Sequence, residues 1–354
     1  MVSSLRCATA IAMATRGRND NWLRFLGWGL VAAAPPPTPT LNKHAKYLVI
    51  STVGRNLQLL SGHSCMINGT IKYQIIIFPL ALMLFIVGCN NKENHYPGQK
   101  APGLTPEAFA PGIVSTPHYE YGGTFTPDLK EFYFIRAGGN YDEATFVVLR
   151  KKDNKWQESV VSKWVGQPVI SPDGKIMHLG KRFMERTESG WSEVKELKAP
   201  FNDIPIMRLS SSANGTYYFD SYFKEKPDFP IRFSRLINGE HETPRELGKT
   251  INSGIKNLNH PFIAPDESYL LWDAVREDGY GSSDIYISFK KQDGSWGKAI
   301  NLGNKINTSA WEASAFVSPD GKYLFFSRNI GSDNYENVDI FWVDAQIIDN
   351  LKNN

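Results

Sequence analysis

The sequence predicts an all-β fold built of four-stranded antiparallel blades. Three observations predict it: a turn that recurs, strand-like runs on either side of each copy, and an N-terminal segment able to supply a strand that the last copy lacks. The turn Ser171-Pro172-Asp173-Gly174-Lys175 returns as Ser318-Pro319-Asp320-Gly321-Lys322. Degenerate copies are Thr126-Pro127-Asp128-Leu129-Lys130, Ser212-Ala213-Asn214-Gly215-Thr216 and Ala264-Pro265-Asp266-Glu267-Ser268. With the second residue as marker, the copies fall at 127, 172, 213, 265 and 319, in steps of 45, 41, 52 and 54 residues. Four-stranded propeller blades recur about every 40–50 residues.

The turn has a mechanism. Proline pre-sets φ for the first central position, aspartate bonds to nearby backbone, and glycine accepts the left-handed conformation that follows. Such a connection joins antiparallel strands. After it come Glu131-Phe132-Tyr133-Phe134-Ile135, Thr216-Tyr217-Tyr218-Phe219, Tyr269-Leu270-Leu271-Trp272 and Tyr323-Leu324-Phe325-Phe326. Aromatic and β-branched residues on both faces suit strands buried on both sides, as between stacked blades. Third strands follow at 145–149, 231–235, 284–288 and 339–343. A polar hairpin with Trp156, Trp191 or Trp296 then opens an outer strand ending near Leu197, Leu247 or Leu302. The regular placement of these tryptophans assigns them to blade packing.

The last copy stops after its third strand and continues into a short terminal helix over 345–351. Residues 107–116 resemble 298–308, and both segments lead to a glutamate seven residues before a turn proline, Glu120 and Glu312. The N-terminal segment is therefore expected to complete the last blade and close a β-propeller without free edges. The count is five blades, or six if one of the longer steps hides a divergent copy.

The first 88 residues differ in character. Met66 and Lys72 precede the apolar run Ile75 to Val87, which ends at Gly88-Cys89. A basic start, a short apolar core and a small residue read as a secretory signal, too short for a comfortable membrane span. Ile86-Val87-Gly88-Cys89 resembles a bacterial lipobox, which implies an acylated Cys89 as mature N-terminus. The division expected is 1–65 as an upstream extension not native to the protein, 66–88 as lipoprotein signal peptide, 89–106 as tether and 107–354 as propeller. Residues 1–88 hold 8 of the 39 basic residues and 1 of the 36 acidic ones, which leaves 31 against 35 and a net charge near −4. That balance gives no case for a nucleic-acid surface. Of the three cysteines, Cys7, Cys65 and Cys89, none lies in the propeller, which excludes disulfides and thiol chemistry there.

The repeats resemble the Pro-Asp subclass of WD40-like propeller repeats, as in TolB-type periplasmic propellers, over about 107–345. The two complete turns, with Asp284-Ile285-Tyr286 and Asp339-Ile340-Phe341, carry most of the resemblance. Together with the lipobox it implies an exported lipoprotein of the bacterial cell envelope, facing the periplasm or the outside. It implies a monomeric binding or scaffold module for an envelope protein or an extracellular glycan or peptide.

Candidate site residues follow from the same ruler. Five residues before the markers lie Gly122, Gln167, Arg208, His260 and Ser314, and seven before lie Glu120 and Glu312. Strand side chains alternate with period two, so Glu120, Gln167, Arg208, His260 and Glu312 are expected on one face, at the channel mouth. Nine after the markers, Arg136, Lys181 and Arg328 form a possible anion arc. His260 has no second histidine at ligand spacing, so neither metal nor other cofactor is expected. Asp273, Arg276, Glu277 and Asp278 read as a solvated loop cluster. Asp293-Gly294-Ser295-Trp296 resembles the Asp-box of sialidase propellers, itself a structural turn. No Gly-x-Ser-x-Gly, phosphate loop or His-Glu-x-x-His is present. The leading reading is non-catalytic. The alternative is a glycoside hydrolase or lyase using Glu120 and Glu312 as paired carboxylates.

Overall fold

The computed structural model describes residues 96–97, 99–153, 155–222, 230–252 and 256–353. The upstream extension, the signal segment and Cys89 lie outside the described residues.

The strands form sets of four in chain order. After β1 (Glu107–Ala108) come β2 (Tyr119–Phe125), β3 (Glu131–Gly138), β4 (Tyr141–Lys152) and β5 (Lys155–Lys163). The second set contains β6 (Pro168–Ile170), β7 (Ile176–Leu179), β8 (Arg182–Thr187), the short β9 (Gly190–Trp191) and β10 (Lys195–Glu196). The third contains β11 (Leu209–Ser211), β12 (Tyr217–Phe219), β13 (Arg232–Ser234), the side hairpin of β14 (Leu236–Ile237) and β15 (Glu240–His241), and β16 (Arg245–Glu246). The fourth is β17 (Lys256–Ile263), β18 (Tyr269–Val275), β19 (Asp284–Phe289) and β20 (Ile300–Asn301). The last is β21 (Glu312–Val317), β22 (Tyr323–Asn329) and β23 (Val338–Asp344), before the helix Gln346–Lys352. Pairing is antiparallel within each set, in the orders β2-β3-β4-β5, β6-β7-β8-β10, β11-β12-β13-β16 and β17-β18-β19-β20.

β1 pairs antiparallel with β23, Glu107 opposite Trp342 and Ala108 opposite Phe341, and so becomes the fourth strand of the last set. A single parallel pair, Tyr119 with Val338, joins the last set to the first. The first strands of the sets neighbour one another in the cycle β2, β6, β11, β17, β21 and back to β2. The chain is a closed β-propeller, and its axis runs between those strands.

The recurring turn folds as its residues require. In the complete copies, the hydroxyls of Ser171 and Ser318 donate to Asp173 and Asp320 at 2.7 Å. The same serine oxygens accept the N–H of Ile176 and Tyr323 at 3.0 Å. The fourth position is left-handed in every copy: Leu129, Gly174, Gly215, Glu267 and Gly321 have φ of 57°, 73°, 83°, 59° and 73°. Glycine is the residue that adopts this without strain, and the two copies that lack it keep the conformation.

Closure is an aromatic packing event. Phe109, fully buried just after β1, meets Phe132, Phe325 and Trp342 edge-on at 5.4, 5.0 and 5.2 Å. The segment expected as a tether is docked from Tyr96 onward. Tyr96 is buried in the same cluster, and its hydroxyl donates to Asp320 at 2.9 Å. Gln99 donates to the Ala108 carbonyl and accepts from Ala110 N–H. A tyrosine ring that fills the seam between the last and first sets cannot act as a free linker, so the ordered domain begins before residue 107. Phe109→Ala is expected to cost about 3–5 kcal/mol, the range for a buried Phe lost to a cavity. Urea unfolding checks it, and a cost within about 0.5 kcal/mol would show that the seam does not depend on this ring.

Candidate functional site

The sequence-predicted residues separate into two groups. Glu120 and Glu312 belong to a latch that occurs twice. Glu120 accepts from Thr116 N–H at 3.0 Å, Thr116 hydroxyl at 2.7 Å and Arg136 Nε at 3.2 Å. Glu312 accepts from Thr308 N–H at 3.0 Å, Thr308 hydroxyl at 2.6 Å and Arg328 Nε at 2.8 Å. The arginines are cross-strand partners of the glutamates on β3 and β22. Arg136 also donates to the carbonyls of Ile113 and Val114, and Arg328 to that of Ile306. Each arginine thus ties a strand pair to the segment leading into it. Both carboxylates are fully buried.

This corrects two expectations. Glu120 and Glu312 do not converge as a catalytic pair, because each is enclosed by its own threonine and arginine, and the glycosidase reading loses its basis. Arg136 and Arg328 do not form an anion arc, because their guanidiniums are turned into these latches. Lys181 lies at the β7–β8 turn, where its backbone bridges Ile206 and Leu197.

A β-bulge that repeats separates the residues expected on one face. On β2 the register passes from Tyr121 opposite Ile135 to Gly123 opposite Phe134, leaving out Gly122. On β17 it shifts between Asn259 and Phe262, and on β21 between Ala313 and Phe316. Gly122, His260 and Ser314 are the left-handed residues at these shifts, with φ of 55°, 53° and 55°. One extra residue reverses the alternation. The side chains five and seven before the marker therefore point apart.

The second group is the axial cluster. Asp220, just after β12, accepts Met207 and Arg208 N–H on Oδ1 and His260 N–H on Oδ2. The His260 ring bridges Asp273, with Nδ1 at 2.8 Å from Oδ1, and the Tyr121 hydroxyl, with Nε2 at 3.0 Å. The Tyr121 hydroxyl lies 2.5 Å from Ser314 Oγ, and Ser314 N–H returns to Asp273 at 3.0 Å. Asp273 is 1% exposed, so it belongs to the axis and not to the solvated loop expected from its charged neighbours. Tyr121 and Asp220 were not singled out in the sequence, and Ser314, at the same place before its turn as His260, was left out of the expected channel-mouth set. Gly122 hinted at the bulge, but nothing local marks a histidine or serine for the same role.

Arg208 has a different status. It is fully buried, and Nε, Nη1 and Nη2 all lack a hydrogen-bond partner. The guanidinium reaches toward Gly122 on β2, where an added Cβ would lie 3.9 Å from Nη1. Burial lowers its pKa, while the nearby Tyr121, Asp273 and Asp220 oppose the shift. Gln167, just before β6, is 2% exposed, and its side-chain oxygen also has no partner. Buried donors and acceptors without partners are rare and costly. Among the described residues no cluster of His, Cys, Asp or Glu could hold a metal ion, and no helix is long and apolar enough to cross a membrane.

Fold and site define a β-propeller with a polar axis. No family model matches the sequence, and no curated protein matches it. Among solved structures, it is similar to TolB from Acinetobacter baumannii at 14% identity and a TM-score of 0.39, over 64% of this chain and 54% of that one. A gluconolactonase from Xanthomonas campestris matches at 11% identity and 0.40, over 70% and 97%. A nidogen/laminin complex matches at 13% and 0.38, over 60% and 73%. The matched part spans about half of the TolB chain. At these values the fold assignment rests on the strand pairings and the closed cycle of first strands.

The latch predicts a pH response. Burial pushes Glu120 up to about 7, helped by Asp339, against the lowering by Thr116 and Arg136. Burial also raises Glu312. A carboxyl that holds its proton in the folded state but loses it in the unfolded chain makes stability fall as pH rises between those two pKa values. The melting temperature is expected to drop between the ordinary carboxylate range and about pH 7, and the slope to decrease in Glu120→Gln. An unchanged slope in that variant would assign the dependence to other groups.

Proposed function

We propose that this chain is a non-catalytic binding module of the bacterial cell envelope, a five-bladed propeller held to a membrane by acylated Cys89. A ligand or a partner's loop is bound at the axis, where the Arg208 guanidinium supplies the anchoring donors. The observation that carries the reading is the buried Arg208, with all three side-chain nitrogens unpartnered. A guanidinium offers five donors in a fixed fork, and removing them from water without acceptors is unfavourable. A bound acceptor group restores what burial removes.

Thermal-shift screening of the full chain against a mixed library of small metabolites and peptides tests the axial site. Ligands are expected to raise the melting temperature of the wild type and to lose that effect in Arg208→Met, which keeps a long side chain without donors. A set of ligands that shifts both proteins equally would place binding elsewhere. The anchor is tested separately. Cys89→Ser is expected to abolish labelling by radioactive palmitate and to move the protein from the membrane to the soluble fraction. A variant that stays lipidated and membrane-bound sinks the lipobox reading.

A further inference from the structure

Charge and hydrogen bonding are unequally satisfied at the axis. One guanidinium, that of Arg208, faces the carboxylates of Asp220 and Asp273. Those carboxylates are occupied by other donors: Met207, Arg208 and His260 N–H on Asp220, and Ser314 N–H and the His260 ring on Asp273. The charge of Arg208 is offset, while its donors are not used. A further negative charge would lose its hydration on entering a buried place where Asp220 and Asp273 already face Arg208 and the His260 ring, which opposes an anionic ligand. A neutral oxygen acceptor meets no such opposition. Gln167 adds the complementary lack, a buried side-chain oxygen without a donor. It precedes β6, which stands between β2 and β11 in the cycle of first strands. A hydroxyl both accepts and donates, and so can answer both; a carboxylate only accepts.

A series of aromatic rings leads to the same place. Tyr121 packs against Tyr119 at 5.9 Å and stacks on Trp311 at 5.7 Å, and Trp311 meets Tyr335 edge-on at 5.4 Å. Tyr119 and Tyr335 are partly exposed, Trp311 and Tyr121 are buried, and the Tyr121 hydroxyl ends the series at His260. Flat apolar faces beside a few convergent polar groups are how small-ligand sites are built. A sugar ring has the matching surfaces, with C–H faces for the rings and hydroxyl edges for the polar atoms.

We propose that the axial site binds a neutral saccharide, its ring against the Tyr119–Trp311 series and its hydroxyls between Arg208 and Gln167. The proposal rests on the axial-binding reading above and adds its ligand class.

Calorimetric titration of the full chain tests it, with neutral trisaccharides of glucose, galactose, mannose and N-acetylglucosamine set against trigalacturonate. One neutral series is expected to bind, and trigalacturonate to bind about tenfold more weakly or worse. Arg208→Met and Tyr119→Ala are each expected to weaken the neutral sugar by about tenfold or more. Tyr119→Ala leaves the buried cluster in place, so it reports even if Arg208→Met fails to fold. Binding of trigalacturonate as tightly as any neutral sugar overturns the proposal, as does neutral binding indifferent to both variants. If no saccharide binds but the screen finds Arg208-dependent ligands of another class, the saccharide is wrong and the axial site stands. If neither experiment finds an Arg208-dependent ligand, both readings fall.

Discussion

The left-handed residues Gly122, His260 and Ser314 break the alternation of three first strands, and each turns a backbone N–H out of its own ladder. In every case the preceding blade supplies the acceptor. Ser327 on β22 takes Gly122 N–H, Asp220 after β12 takes that of His260, and Asp273 on β18 takes that of Ser314. A buried N–H without a partner is costly, so the bulge and the neighbour's acceptor depend on each other. This exchange fixes the angular position of three joints of the ring. It also delivers Tyr121, His260 and Ser314 to the axis, where they meet. The polar axis is a consequence of how the blades are joined.

The Thr-Glu-Arg latch works on the next layer outward and on a different problem. The segments before β2 and β21 cross from the outer strand of one blade to the inner strand of the next, and their carbonyls have no ladder. Arg136 and Arg328 collect those carbonyls, and Glu120 and Glu312 hold the arginines while fastening Thr116 and Thr308. The same device at two crossings shows why these glutamates precede the turn by the same interval. The interval belongs to the crossing, and the axis plays no part in setting it.

The repeat, the strand runs and the borrowed strand β1 were all legible, because turn chemistry and burial on both faces leave marks at fixed spacing. The ordering of Tyr96 was not legible. Its reason is contact with Phe125, Tyr323 and Trp342, which come together only in the closed ring. At the site, the spacing from the turn reaches Arg208 and His260, but strict period-two alternation does not hold there. Alternation would put Glu120 on the face of Gly122, and the bulge at Gly122 turns the two apart. Asp273 was misplaced for a related reason. Its neighbours Arg276 and Asp278 pair with each other in a loop, and local charge density gave no warning that Asp273 is still inside β18 and buried.

Arg208 is the member of the axis that joint geometry does not explain. Asp220 would hold Met207, the Arg208 backbone and His260 whatever side chain stood at position 208. His260, Tyr121, Ser314 and Asp273 close their circuit without the guanidinium. An apolar residue of similar volume would fill the space without leaving donors unsatisfied, and buried charges are often replaced in that way at little cost to stability. What such a residue could not do is offset Asp220 and Asp273, which are committed to backbone groups and cannot leave. Arg208 therefore serves the fold through its charge alone. Its hydrogen-bonding fork stays unused inside a closed ring, next to a run of aromatic rings that reaches the surface.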